Sequence, residues 1–357
     1  MKKKLLYIFL IFLTVLLIIS PEKTIFYSSC ALDLCESVII PSLFPFFVCS
    51  GLLIHSGFCE ILAKFLEPVM KPLFNINGSG AAAFVLGIIS GYPLGAVTAC
   101  QLYEKNYLTK TEAERLLTFC NNSGPLFILG AVGISLYHSP KVGVILYSAH
   151  IISALLTGFF FRFYKKNDFT PTTSHPTVAE KPFAEIFSSV LSNSIQSILT
   201  VCGAVLFFSA VSGIIINLLP LSDSIRSIVM GFMEFASGTK YISESTLPLF
   251  EKLIISSAVV GFAGLSVHIQ VLSVVSRHGL GIFPYIFGKA VQSIISAVTA
   301  FCLLKFMPNS ISVFSSQSVE ISGAFAMNSL YIILAVASAL FVILSGAVFM
   351  FFKTSRN

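Results

Sequence analysis

The chain has 357 residues, 55% of them hydrophobic and only 11% charged, with a mean hydropathy of +0.90 and a net charge of +6. A soluble fold of this size needs a far more polar surface, so the composition argues against a water-soluble protein and predicts a polytopic helical membrane protein. The basic residues are scattered through short loops rather than gathered on one face, which argues against a nucleic-acid surface.

The first stretch, MKKKLLYIFLIFLTVLLIISPEK, has a basic start and a short apolar run, the pattern of a secretory signal. No small-x-small cleavage site follows Ser20, and Pro21, Glu22 and Lys23 come next. An uncleaved first transmembrane helix within a unit over 1–30 is therefore expected. Apolar runs long enough to cross the hydrocarbon layer are expected near 5–20, 36–56, 114–136, 142–163, 188–218, 251–276, 282–305 and 328–352. Two more apolar stretches, 79–102 and 225–246, are interrupted by Gly, Ser or Pro. The eight cysteines form no CxxC pair and lie mostly in apolar runs, as small hydrophobic residues would. Cys30 and Cys35 are the one pair placed to test for a disulfide.

Basic residues orient the spans. Lys2 to Lys4, the group Arg162, Lys165, Lys166 and Lys181, and Lys353 with Arg356 predict cytoplasmic N- and C-termini and a cytoplasmic linker over 165–187. If 79–102 crossed the membrane, Lys105, Lys110 and Arg115 would fall outside. A re-entrant hairpin turning at SGYPLGA (90–96) keeps them inside, and 225–246 would then enter from the opposite face. The expected fold is all-α, with about eight transmembrane helices plus two re-entrant hairpins arranged as inverted repeats. One repeat covers 31–164 and the other 188–305, followed by a C-terminal unit over 306–357. Internal matches agree: Ser50-Gly51 with Ser212-Gly213, Ser90-Gly91 with Ser237-Gly238, and Ser123-Gly124-Pro125 with Gly264-Leu265-Ser266. Lys240 and Lys252 fall outside in this arrangement, against the charge rule.

A helix that stops inside a membrane leaves carbonyl and N–H groups unpaired, so a break is tolerated beside a cavity or a ligand. The candidate substrate-binding residues of the first half are Ser90, Gly91, Tyr92, Pro93, Asn121, Asn122, Ser123 and Gly124. Those of the second are Glu234, Ser237, Gly238, Ser266, His268 and Gln270. Amides and hydroxyls both donate and accept, which suits a polar or anionic solute. Small and hydroxyl residues also serve close helix packing, and Gly91 and Gly124 fit either role. Glu234 and His268 are the expected ionisable pair, for a coupling proton or a buried contact, and Lys289 either snorkels or faces an anion.

The strings PSLFPFFVCSGLL, SGYPLGA, LLTFCNNSGPLFILGAVG and GLSVHIQ, in this order, resemble the sporulation integral membrane protein YlbJ (SpoVV) family of the nucleoside-recognition or gate-domain group. That resemblance implies transport of a small organic anion, dipicolinic acid, from the mother cell across the outer forespore membrane of a spore-forming bacterium. Alternatives are a permease for nucleosides or another solute, and a sporulation membrane assembly protein that transports nothing. No enzyme motif, ATP-binding loop or cofactor site is present in the sequence. The expected partners are the small-molecule substrate and the lipid bilayer, and the oligomeric state stays open.

Overall fold

The computed structural model describes residues 2–56, 58–165 and 182–306, and all of its regular secondary structure is helical. The expected last span, 328–352, lies outside the described residues.

Helix α1 (Lys2–Ile19) stops at Ser20, and α2 (Pro21–Leu34) starts with a proline that has no N–H for α1 to bond. The two meet at a bend of 96°, so the residues of the unit expected over 1–30 form two helices at an angle. A π-helical turn, Cys35–Ile39, leads into α3 (Ile40–His55). Cys30 and Cys35 are free thiols, and Cys35 packs beside Cys202 instead of pairing with Cys30. Helix α4 (Phe58–Phe74) occupies a stretch with no expected span. Lys64, Glu67 and Lys71 recur at helical spacing there and leave another face to bury Met70 and Phe74.

The first half continues with α5 (Gly80–Ser90), α6 (Leu94–Glu104), α7 (Lys110–Cys120), a π-helical segment Leu126–Leu136 and α8 (Pro140–Phe161). The second half has α9 (Phe183–Leu218), α10 (Asp223–Met233), α11 (Phe235–Glu244), α12 (Leu249–Phe262), α13 (Gly264–Val275) and α14 (Phe283–Phe306). Each half thus runs through a long helix, a helical hairpin, a broken helix and a long closing helix. The linker expected over 165–187 gives way to helix at Phe183.

Three breaks have local causes. Gly91 ends α5 at φ 86°, a conformation that costs a residue with a Cβ, and Pro93 opens α6. Glu234 is extended between α10 and α11. Ala263 and Gly264 are both left-handed, at φ 76° and 70°, so the span expected over 251–276 is two helices in series. The span expected over 114–136 is also interrupted: α7 stops at Cys120, residues 121–124 are irregular, and the chain resumes as a π-helix. Its apolar run reads as continuous in sequence, but the Asn122 amide takes the Phe119 carbonyl at the end of α7. Among the described residues, four helical stretches are long and apolar enough to cross a membrane, α12 and α13 counting together as one, or five with the bent α1–α2 pair.

Both hairpins close tightly. A Cβ on Gly238 would lie 2.0 Å from the Gly231 Cα, so α10 and α11 touch backbone to backbone. The open end of the first hairpin lies beside α7, where the Asn77 N–H donates to Glu112 Oε1 at 2.9 Å. Glu112 also completes a capping box with Thr109 at the start of α7. Arg115, counted in the sequence as a loop charge, is buried. Its guanidinium donates to the carbonyls of Asn75, Tyr164 and Lys165 at 2.8, 2.7 and 2.7 Å. Glu114 accepts from Lys165 Nζ at 3.1 Å and from the Gly281 N–H at 3.0 Å. The hydrogen bond to Glu114 holds the Lys165 ammonium above its ordinary pKa. This hub gathers the open end of the first hairpin, the end of α8 and the start of α14. The second hairpin opens elsewhere, beside the start of α12: Lys252 Nζ donates to the Ser243 carbonyl at 2.8 Å, and Phe250 packs on Phe301 near the end of α14.

Candidate functional site

The two hairpin tips and the two helix breaks converge. Tyr92 of the first tip packs edge-on against Phe235 of the second, with ring centroids 5.3 Å apart, and Phe127 also meets Phe235, tilted, at 5.0 Å. Between them is a cavity of about 30 Å³, lined by Gly91, Tyr92, Ser123, Gly124, Ala236 and Gln270 among others. Tyr92 is anchored by its hydroxyl, which donates to the Val260 carbonyl at 2.8 Å.

Behind Tyr92 is a buried polar network. Lys289 Nζ donates to the Asn121 carbonyl at 3.0 Å and to Gln292 Oε1 at 2.7 Å, and it lies 5.4 Å from the Tyr92 ring centroid. Gln292 Nε2 donates to Asn122 Oδ1 at 2.9 Å, and Asn122 Nδ2 donates to the Phe119 carbonyl at 2.7 Å. Asn121 Nδ2 reaches the Tyr285 hydroxyl at 3.4 Å, which also bonds His268 Nδ1 at 3.2 Å. Asn121 and Asn122 therefore fill the gap left where α7 stops, and α14 of the other half supplies their partners. Lys289 is fully buried, so it does not snorkel. Among the described residues no carboxylate lies within ion-pairing distance of it.

Glu234 and His268, expected to pair, have different partners. Glu234 caps α11, accepting from the Ala236 and Ser237 N–H groups at 3.1 and 2.6 Å and from Ser266 Oγ at 3.5 Å. It is wholly buried at the tip rather than at a hairpin mouth. His268 instead meets Tyr285 and the edge of Phe262.

Serine pairs tie each hairpin to the long helix before it. Ser50 of α3 bonds Ser90, and Ser209 of α9 bonds Ser237 at 2.9 Å. The sequence match of Ser90-Gly91 to Ser237-Gly238 is therefore right for the serine contact and shifted for the turn, because the second tip is Glu234. Gly238 is a packing residue against Gly231, Gly124 sits under Gly91, and Pro93 begins α6. The Ser123 N–H donates to His150 Nε2 at 3.1 Å. Asn121 Oδ1, Gln270 Oε1 and His268 Nε2 are buried without a hydrogen-bond partner, an unusual concentration of unmet polar atoms.

Tyr285, Lys289 and Gln292 lie at i, i+4 and i+7 on α14, one face of a helix. Lys289 drew notice in the sequence. Tyr285, Gln292, His150 and Ser209 did not, although the polar stripe in PYIFGKAVQ was the available signal. The described residues contain no group of three or more side chains suited to a metal ion.

The sequence profile of the Gate family, described as nucleoside recognition, matches residues 37–161. The chain is 31% identical to the sporulation integral membrane protein YlbJ of Bacillus subtilis (strain 168) over 333 residues, covering 83% of this chain and 81% of that protein. No solved structure matches.

Proposed function

Because the chain belongs to the family of the sporulation integral membrane protein YlbJ, we propose that it is a membrane permease for a small organic anion, with dipicolinic acid as its cargo. One observation carries the anion: the Lys289 amine is fully buried, and its hydrogen-bond partners are neutral oxygens. An ammonium buried without a counter-charge is strongly unfavourable, and a bound carboxylate would supply that charge. The unmet Gln270 amide oxygen borders the central cavity and would accept a hydrogen bond from an N–H or O–H of a solute.

In this reading the halves are inverted across the bilayer, and each hairpin enters from the face at which it opens. The separate surroundings of the two open ends support that arrangement. The termini are cytoplasmic, and the membrane is the mother-cell-derived membrane around the forespore. Export of a dianion from an electrically negative compartment is favourable by about 2.3 kcal/mol per charge per 100 mV, so release needs no ATP. No catalytic step is part of the proposal.

A nucleoside permease is the second reading, favoured by the description of the family that matches 37–161. Flux of dipicolinate and of a nucleoside through the purified protein in liposomes separates the two. Dipicolinate flux that depends on Lys289 supports the anion reading. Flux of the nucleoside alone overturns the choice of cargo, and flux of neither solute favours an assembly role.

A further inference from the structure

Three cavities line up along one helix. The first, about 100 Å³, lies between α3, α6 and α9 and is bounded by Pro93 and Gln101 on α6 and by Asn193, Ser194 and Ser197 on α9. The second is the 30 Å³ cavity between the tips, which reaches α9 at Val201 and Val205. The third, about 280 Å³, lies between α2, α9 and the second hairpin, and it meets α9 at Gly213, Ile216 and Asn217.

On α9 these positions advance by one, three or four residues at a time. Val190, Asn193, Ser194 and Ser197 lead to Val201 and Val205. Ser209, bonded to Ser237, continues the row to Gly213 and Asn217. Each step of four residues advances about 40° around an α-helix, so the row winds about 160° round α9 from Ser197 to Gly213. From Ser197 to Gly213 the rise is about 24 Å, and the whole row is longer than the roughly 30 Å hydrocarbon layer. Leu199, off this row, is 65% exposed on the outer side of α9.

The walls between the cavities are the hairpin tips themselves. Pro93 and Leu94 line the first cavity while Gly91 and Tyr92 line the central one, so the SGYP turn separates them. The Ser209–Ser237 bond stands between the central cavity and the third, where Asn217, Arg226, Ser227 and Thr246 supply polar groups, with Asp223 bonded to Arg226. The outer two cavities are larger and carry polar side chains among apolar ones. The middle holds about one water and is bordered by valine and aromatic rings.

We propose that this winding row on α9 is the stationary wall of the solute path, with a vestibule carrying polar side chains at each end and a constriction made by the two tips at Val201 and Val205. The path serves polar solutes, and it rests on the permease reading above. A solute in the first vestibule meets the SGYP turn and one in the third meets the second hairpin, so passage requires the tips to part from α9 in turn.

Single substitutions S197C, N217C, S227C and L199C test this in the full-length protein, oriented in liposomes and exposed to a charged, membrane-impermeant thiol reagent. The rate for the native cysteines is subtracted. S197C should react from one side of the bilayer, and N217C and S227C only from the other. L199C should react at least tenfold more slowly from either side. Serine to cysteine is nearly isosteric, so S197C and S227C keep the test valid if N217C, which loses its bond to Tyr27, fails to fold. Equal labelling of L199C and S197C, labelling of both ends from the same side, or no labelling of folded S197C and S227C overturns the path. The assay uses no cargo. Sided labelling without dipicolinate flux therefore keeps the path and discards the cargo, and flux without sided labelling does the reverse.

Discussion

At the first hairpin tip no side chain caps the start of α6, whereas at the second the Glu234 carboxyl takes the Ala236 and Ser237 N–H groups. A helix start attracts negative charge, and the second hairpin satisfies its own with an acid from the same turn. The first hairpin has instead a buried lysine nearby, Lys289, brought by α14 of the other half. Two hairpins of similar shape thus differ in electrostatics, and only the surroundings of the first favour an incoming anion. Repeats in one chain need share only their backbone plan, because each tip is finished by side chains from its own neighbourhood.

The largest expected effect tests the shared plan. G238V would drive a side chain into the Gly231 backbone, and G87V would meet the Cys120 carbonyl, where a Cβ falls at 1.9 Å. Each should cost about 3 kcal/mol or more and remove most of the monodisperse protein from detergent extracts. G203V, with open space around its Cβ, is the control and should extract normally. Normal extraction of G238V alone would mean that the hairpins are not packing equivalents.

The electrostatic contrast comes next. K289Q keeps a hydrogen-bonding side chain and removes the charge. Losing a charged hydrogen bond is worth about 1.5–3 kcal/mol, so anion affinity in proteoliposome flux should fall roughly 10- to 100-fold. E234Q should change that affinity little. An equal fall in both variants would erase the distinction between the tips.

Removing the cap altogether has a smaller effect. E234A should lower stability by about 1 kcal/mol, read as a lower melting temperature in detergent, and E234Q should restore part of it through its remaining oxygen.

The smallest effect lies at the hub around Glu114. The hydrogen bond raises the Lys165 pKa above 10.5, so its contribution is fully present below that value and disappears as pH rises through the raised one. The melting temperatures of wild type and K165Q should therefore differ slightly at neutral pH and converge as pH rises through the raised Lys165 pKa. A constant difference would show that the side chain acts through packing alone.

Much of the plan is legible in the sequence because breaks are local. Gly91 with Pro93 marks a turn, and long runs such as 142–163 and 282–305 coincide with α8 and α14. The interruption at Asn121 is hidden, since the surrounding residues are apolar and the amides find partners 164 to 170 residues away. The expected Glu234–His268 pair failed for the same reason. Glu234 is used by its own turn and His268 by Tyr285, and neither preference has a signature in residue type.

By itself the sequence determined the membrane class, the two interrupted stretches at 79–102 and 225–246, and the small residues that allow close crossings. These follow from composition and from spacing along the chain. Only the tertiary structure decided where Lys289 points, which polar atoms stay unmet and that the row on α9 passes three cavities. Those properties depend on which halves face each other, and burial makes a polar group's partner matter more than its place in the chain.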